Sequence, residues 1–154
     1  VLNFHLTLQY DYIYEEVIPM FLNATDVRKD LSKVIDNAVR EKPQFIKRTR
    51  DHLLLSDLNF INQILEPYHF TAKKFPEEDG SVTLELNEID LAENGRTESE
   101  AKQNLAASIL DYAKDFYDDF NYWSTAPNRK AQIPYVFRAL ILNNVEKIGD
   151  SITC

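Results

Sequence analysis

Between Ala101 and Phe120 the apolar side chains recur every three or four residues: Ala101, Leu105, Ile109, Tyr112, Ala113, Phe116 and Phe120. That spacing puts them on one stripe of a long helix, and such a stripe must be covered by other elements. Just ahead of it, Thr97 and Glu100 have the spacing of a capping box, the reciprocal pair that satisfies free N–H groups at a helix start. Upstream the period changes to two. Tyr68, Phe70 and Ala72 alternate with polar residues, and Val82, Leu84 and Leu86 do so again after a PEEDG turn at 76–80. Ile89 and Leu91 take the opposite parity, which predicts a bulge near Asn87–Glu88. Downstream, the loop NYWSTAPN (121–128) leads to a last helix carrying Ile133, Val136, Phe137, Leu140 and Ile141, with Pro134 near its first turn and Gly149 as its stop.

The first half has its own pattern. Residues 20–23 read as a short strand. Thr25 is the expected N-cap of a helix whose apolar face is Val27, Leu31, Val34, Ile35, Ala38 and Val39, with Pro43 ending it. Residues 44–55 read as a hairpin with its tip near Thr49–Asp51. Ser56 then caps a second helix with Leu58, Ile61, Ile64 and Leu65, ended by Pro67. The order is β-α-β-β-α followed by β-β-α-α, an α+β chain with its boundary at Glu66–Tyr68. The expected domains are 20–66 and 67–154, with residues 1–19 as an extension. Within the extension, Leu2 to Tyr14 alternate as a strand would. A rival reading makes it a translated leader before a start at Met20, the only methionine, because Glu15-Glu16-Val17 can be encoded by a ribosome-binding sequence. GAA codons at both glutamates would exclude that.

Charge divides along the same lines. The chain carries −8 overall, yet residues 20–56 hold eight basic against five acidic residues, and residues 57–154 hold nine against seventeen. A basic island can bind nucleic acid locally while an acidic remainder suits a basic partner. Three glycines cannot build a Gly-rich phosphate loop, and the one cysteine, Cys154, excludes a disulfide framework. No segment reaches the roughly 18 apolar residues of a membrane span, and the first twenty residues lack Lys and Arg. A cytoplasmic location is expected. His5, His52 and His69 are far apart, Asp118-Asp119 do not share a helical face, and no spacing reads as a metal site. Neither a cofactor nor catalysis is expected.

Residues 21–65 resemble the N-terminal domain of the prevent-host-death (Phd/YefM) antitoxins. The segment FLNATDVRKDLSKVIDNAV carries that family's short strand, Thr/Ala pair and Arg-x-x-Leu-Ser core. The segment PQFIKRTRDHLLLSDLNFINQIL carries its second signature of strand, turn, apolar strand ending in Ser, and helix. One departure stands out: the family turn contains Gly, whereas Lys47 to His52 hold no residue that readily takes positive φ, so the tip must differ in conformation. The second half resembles, more weakly, the strand-strand-helix unit of HicB-like antitoxins, through EEDGSVTLEL and ENGRTESEAKQNL with Gly95, Thr97 and Ala101.

The resemblance implies an antitoxin that dimerises, binds operator DNA with its N-terminal part, represses its own operon and neutralises a toxin by direct contact. Asn23, Thr25, Arg28 and Ser32 match the start of the first helix, where Arg28 is the leading DNA contact, aided by the field of a helix N-terminus. Lys29, Lys47, Arg48 and Arg50 are the expected phosphate contacts. For the toxin, the acidic and aromatic stretch Asp111, Asp115, Tyr117, Asp118, Asp119, Tyr122 and Trp123, extended by Tyr135 and Arg138, would fill a cationic groove. A small basic RelE-like ribonuclease is the favoured toxin and a Doc-like enzyme the second choice. Two other classes remain open: a Phd-like interaction module that binds a partner protein but no DNA, and a small enzyme using His69 or Cys154.

Overall fold

The computed structural model describes residues 21–154. The alternating stretch at 2–14, the leader reading and the start at Met20 lie outside the described residues. Two compact units are formed, one up to Phe60 and one from Ile61 onward.

In the first unit, β1 (Leu22–Asn23) leads into α1 (Ala24–Lys29) and α2 (Leu31–Arg40), followed by β2 (Gln44–Arg48) and β3 (Asp51–Leu55). The sheet order is β1-β2-β3. β1 runs parallel to β2, with Leu22 opposite Ile46 and Asn23 opposite Lys47. β2 and β3 form the expected hairpin, closed by the Arg48–Asp51 pair. The single helix expected over 26–39 is instead two. Asp30, at φ −138° and ψ 55°, leaves the helical region between them, consistent with the tendency of Asp to abandon helix interiors for local turns. The helix also starts two residues early: Asn23 occupies the N-cap position and Thr25 lies in the first turn. The hairpin tip does take positive φ, at Thr49 (53°). A β-branched residue is a poor occupant of that region.

α3 (Leu58–Ile64) ends before Pro67 as expected. Asp57 caps it rather than Ser56, its carboxylate accepting the Asn59 N–H at 3.0 Å.

The second unit has an antiparallel meander of β4 (Ala72–Pro76), β5 (Val82–Leu86) and β6 (Ala92–Gly95). The parity change after Leu86 is a chain reversal into a third strand, not a bulge. Leu86 N–H donates to Leu91 O at 2.8 Å, and Ile89 is buried within the loop. Thr71 pins that loop: its carbonyl accepts the Asn87 N–H at 2.9 Å, and its own N–H donates to the Glu88 carboxylate at 3.0 Å.

The long stripe forms α4 (Glu98–Asp118). Its cap is the one expected: Thr97 Oγ1 accepts the Glu100 N–H at 3.1 Å. The return bond from Glu100 falls one residue earlier, on the Arg96 N–H. Residues read as a loop after Phe120 contain α5 (Phe120–Thr125), and α6 (Ile133–Leu142) has Pro134 in its first turn. The stop is Asn143, at φ 40°, not Gly149. Gly149 lies inside α7 (Val145–Ser151), where the Gln103 side-chain amide stands 2.8 Å from the place a Cβ would take. Thr153 then pairs in parallel with Thr71, donating to Phe70 O and accepting the Ala72 N–H.

Phe70, Leu84, Leu105, Ile109, Phe116, Val136, Ile148 and Ile152 are all essentially inaccessible to solvent. They make one core under the meander and around α4. Gly95 lets the end of β6 approach the first turn of α4, where a Cβ would lie 2.8 Å from Ala101 Cα. Gly95→Ala should therefore cost about 1–3 kcal/mol, as overpacking does. The expected reading is a lower urea midpoint for the second unit at unchanged slope.

Candidate functional site

In the first unit, Ala24, Thr25 and Arg28 of α1 and Arg48 and Thr49 of the hairpin tip line one open concavity of about 520 Å³. The register that sets Asn23 opposite Lys47 carries the chain into α1 beside the hairpin. Asn23, Thr25, Arg28, Lys29, Ser32, Lys47, Arg48 and Arg50 are all exposed. Thr25, Arg28 and Arg48 meet at the concavity, whereas Ser32, beyond the break at Asp30, and Arg50 are not among its lining residues. Lys29 is engaged with Asp26 at 3.5 Å. Among the described residues, no carboxylate lies within salt-bridge distance of Arg28 or Arg48. Because Asp30 shortens the helix, Arg28 sits in the last turn of α1. The expected field of a helix N-terminus therefore does not act at Arg28; the carbonyl end there favours the cation itself.

In the second unit, the acidic and aromatic stretch separates into two groups. Asp111, Asp115, Tyr117, Asp118, Asp119 and Tyr122 face solvent, with Tyr117 57% and Tyr122 68% accessible. Trp123, Tyr135 and Arg138 are half-buried and engaged within the unit. Trp123 stacks on Phe116 at a centroid distance of 6.1 Å and carries the Arg129 guanidinium over its ring at 4.0 Å. Tyr135 packs edge-on against Tyr68, and burial followed by the charge of Glu88 pushes its hydroxyl pKa upward. Arg138 donates to the Asn62 carbonyl at 3.0 Å and its side-chain oxygen at 2.7 Å.

The outward acids stand in an unfavourable field. Asp115 and Asp118 belong to the last turn of α4, where unsatisfied carbonyls already concentrate negative charge, and no basic residue lies in that turn. Among the described residues none of these aspartates has a cation within 4.0 Å. A second acidic patch, at the β4–β5 turn, is different: Ser81 donates side-chain and backbone hydrogen bonds to Asp79 and holds its carboxyl pKa below the usual value. Among the described residues, no three His, Cys, Asp or Glu gather as a metal site would require. No helix there is long and apolar enough to cross a membrane.

Sequence reasoning missed Arg129. Nothing in its spacing separates it from a surface arginine; its environment arises from α5, which the sequence presented as a loop.

Several comparisons bear on what this arrangement belongs to. No curated protein matches the chain. A crystal structure at 35% identity, covering 86% of this chain and 96% of its own, superposes with a TM-score of 0.81; it is described as an antitoxin part of a candidate toxin/antitoxin system from Syntrophomonas wolfei subsp. wolfei. A family profile described as antitoxin of toxin-antitoxin, RelE / RelB, TA system matches residues 20–154, spanning both units and the stretch that resembles HicB. The chain belongs to this PHD-like family of antitoxins from toxin–antitoxin systems.

Proposed function

We propose that the chain works by binding alone: a homodimer of the first unit docks on operator DNA and represses the operon, while the second unit covers a cognate toxin. The carrying observation is the α4 terminus. Exposed aspartates at the negative end of a helix destabilise the free chain slightly, and a cationic partner converts that cost into attraction. Tyr117 and Tyr122 flank the acids as exposed aromatic anchors of the type that dominates interfaces. A small basic RelE-like ribonuclease fits this face best, and a Doc-like enzyme is the second choice. Neutralisation is a steric and electrostatic block with no chemistry by the antitoxin, in the cytoplasm where both partners are made.

The DNA reading rests on Arg28 and Arg48, two guanidinium groups with no salt-bridge partner among the described residues, lining one concavity with the strained Thr49. Backbone strain of this kind gathers at functional sites. Dimerisation rests on the apolar accounting of the first unit. Val27, Val34 and Ala38 are buried, while Leu31, Ile35, Val39, Phe45, Leu53 and Leu54 are 40–57% accessible. On α2 the apolar residues form one wide arc, of which only the Val34–Ala38 flank is covered. A second copy would bury the rest. Arg138 and Tyr135, held inside the second unit, act in this reading by shaping the toxin-binding surface.

Three measurements test these statements. In a gel shift with the upstream control region, Arg28→Ala plus Arg48→Ala should weaken binding and flatten its dependence on log salt by about one per lost phosphate contact. Unchanged binding, or no shift even at low salt, would favour the pure interaction module. The triple variant Asp115→Asn, Asp118→Asn, Asp119→Asn should lose affinity for the neighbouring gene's product while melting higher, because relieving each acid at a helix end is worth about 0.3–1 kcal/mol. Equal toxin binding by that variant would remove the acidic face from the interface. Ile35→Glu should sediment as a monomer where the parent sediments as a dimer.

A further inference from the structure

A second, smaller pocket lies within the second unit, away from the exposed acids. It encloses about 180 Å³ between the β5–β6 loop (Ile89, Asp90, Leu91), α4 (Tyr112) and the segment bearing Arg129 and Gln132. Arg129 is held there on three counts. Its guanidinium lies 4.0 Å above the Trp123 ring and 5.7 Å from the Tyr112 ring. One terminal nitrogen donates to the Tyr112 hydroxyl at 2.6 Å. That hydroxyl in turn donates to Gln132 Oε1, which fixes the phenol and, through it, the cation.

Every one of these partners is neutral. Among the described residues no carboxylate stands within 4.0 Å of Arg129, although the chain as a whole is strongly acidic. A half-buried cation without a counter-ion is costly, and a guanidinium held by stacking keeps further N–H groups for a planar acceptor. A purely structural role would be met by the stacking and the tyrosine bond alone; it does not account for a pocket beside the cation.

We propose that Arg129 heads a carboxylate-binding pocket. A carboxylate matches the fork of the guanidinium in two parallel hydrogen bonds, and a pocket of about 180 Å³ admits an acetate-sized group with room left for the chain that bears it. Ile89 and Leu91 supply apolar walls for the carbon next to it. Asp90, an exposed residue of the same lining, restricts the ligand to a single negative charge and disfavours phosphate dianions. The carboxylate belongs either to an acidic side chain of a docked protein or to a small free acid. The pocket stands independently of the toxin reading.

Trp123 is the only tryptophan and touches the cation, so its emission reports on the pocket directly. The full chain is titrated with sodium acetate and, separately, with a glutamate whose amino and carboxyl ends are both capped, against sodium chloride at constant ionic strength. Acetate should give a saturable change in Trp123 emission in the millimolar range, and chloride none. Saturation by capped glutamate as well assigns the site to a protein side chain; saturation by acetate alone assigns it to a free acid. Arg129→Gln should abolish the response, and Arg129→Lys, which keeps charge but loses the fork, should weaken it about tenfold. Gln132→Glu keeps Arg129 and its stacking but supplies an internal carboxylate, so it should also block acetate. It decides the matter if Arg129→Gln does not fold. A response that never saturates, or one that persists in the Gln132→Glu and Arg129→Lys variants unchanged, overturns the proposal.

Discussion

The burial of α4 is the constraint on which the second unit depends. Leu105, Ile109 and Phe116 are shielded from water in one core with Leu84 of the meander, Val136 of α6 and Ile148 of α7, and Phe116 also packs against Phe120 and Trp123. Burying a large aliphatic or aromatic side chain contributes roughly 1.5–3 kcal/mol, so this one helix organises a large share of the unit's stability. Its two ends then do different things. The N-terminus is finished by Thr97 and Glu100 and by the close approach of Gly95. The C-terminus is left with acids where a stability-optimised helix would carry bases. A core that is well determined can carry such a local misfit, and the misfit lies on the face proposed to meet the toxin.

The first unit is built the other way. Among the described residues its interior is thin, its apolar residues are largely on the outside, and its charged residues include two arginines without a salt-bridge partner beside a strained turn. In the proposed assembly the second unit would draw its affinity from charge and the first from uncovered apolar surface. Both features are unfavourable in isolation and favourable in an assembly, which is what an antitoxin, belonging to a family defined by its place in a two-protein system, is expected to need.

Most of the architecture was legible because it rests on periodicity and punctuation. The α4 stripe, its cap, Pro134 in the first turn of α6, the 44–55 hairpin and the α+β order are all local patterns. What was not legible depends on neighbours. The stripe from Val27 to Val39 continues in phase through Asp30, so periodicity could not reveal the break. The change of parity after Leu86 is compatible with a bulge or a reversal, and the bonds from Thr71 decide between them. Gly149 reads as a stop until Gln103 is seen lying against it. Of the site residues, Arg28 and Arg48 converge although twenty residues separate them, because β1 pairs with β2. Trp123, by contrast, reads as an exposed anchor but has both Phe116 and Arg129 against its ring. The absence of glycine at the hairpin tip excluded nothing: Thr49 simply adopts the disfavoured backbone.

In the proposed dimer, the thin interior of the first unit makes copy number a structural variable. An apolar surface covered by a second copy obeys mass action, so the covered share rises and falls with how many molecules share the compartment. The core of the second unit closes within one chain. In that reading dilution uncovers the apolar surface at one end of the polypeptide and leaves the core at the other intact, so one gene product answers to abundance in one unit and to temperature in the other.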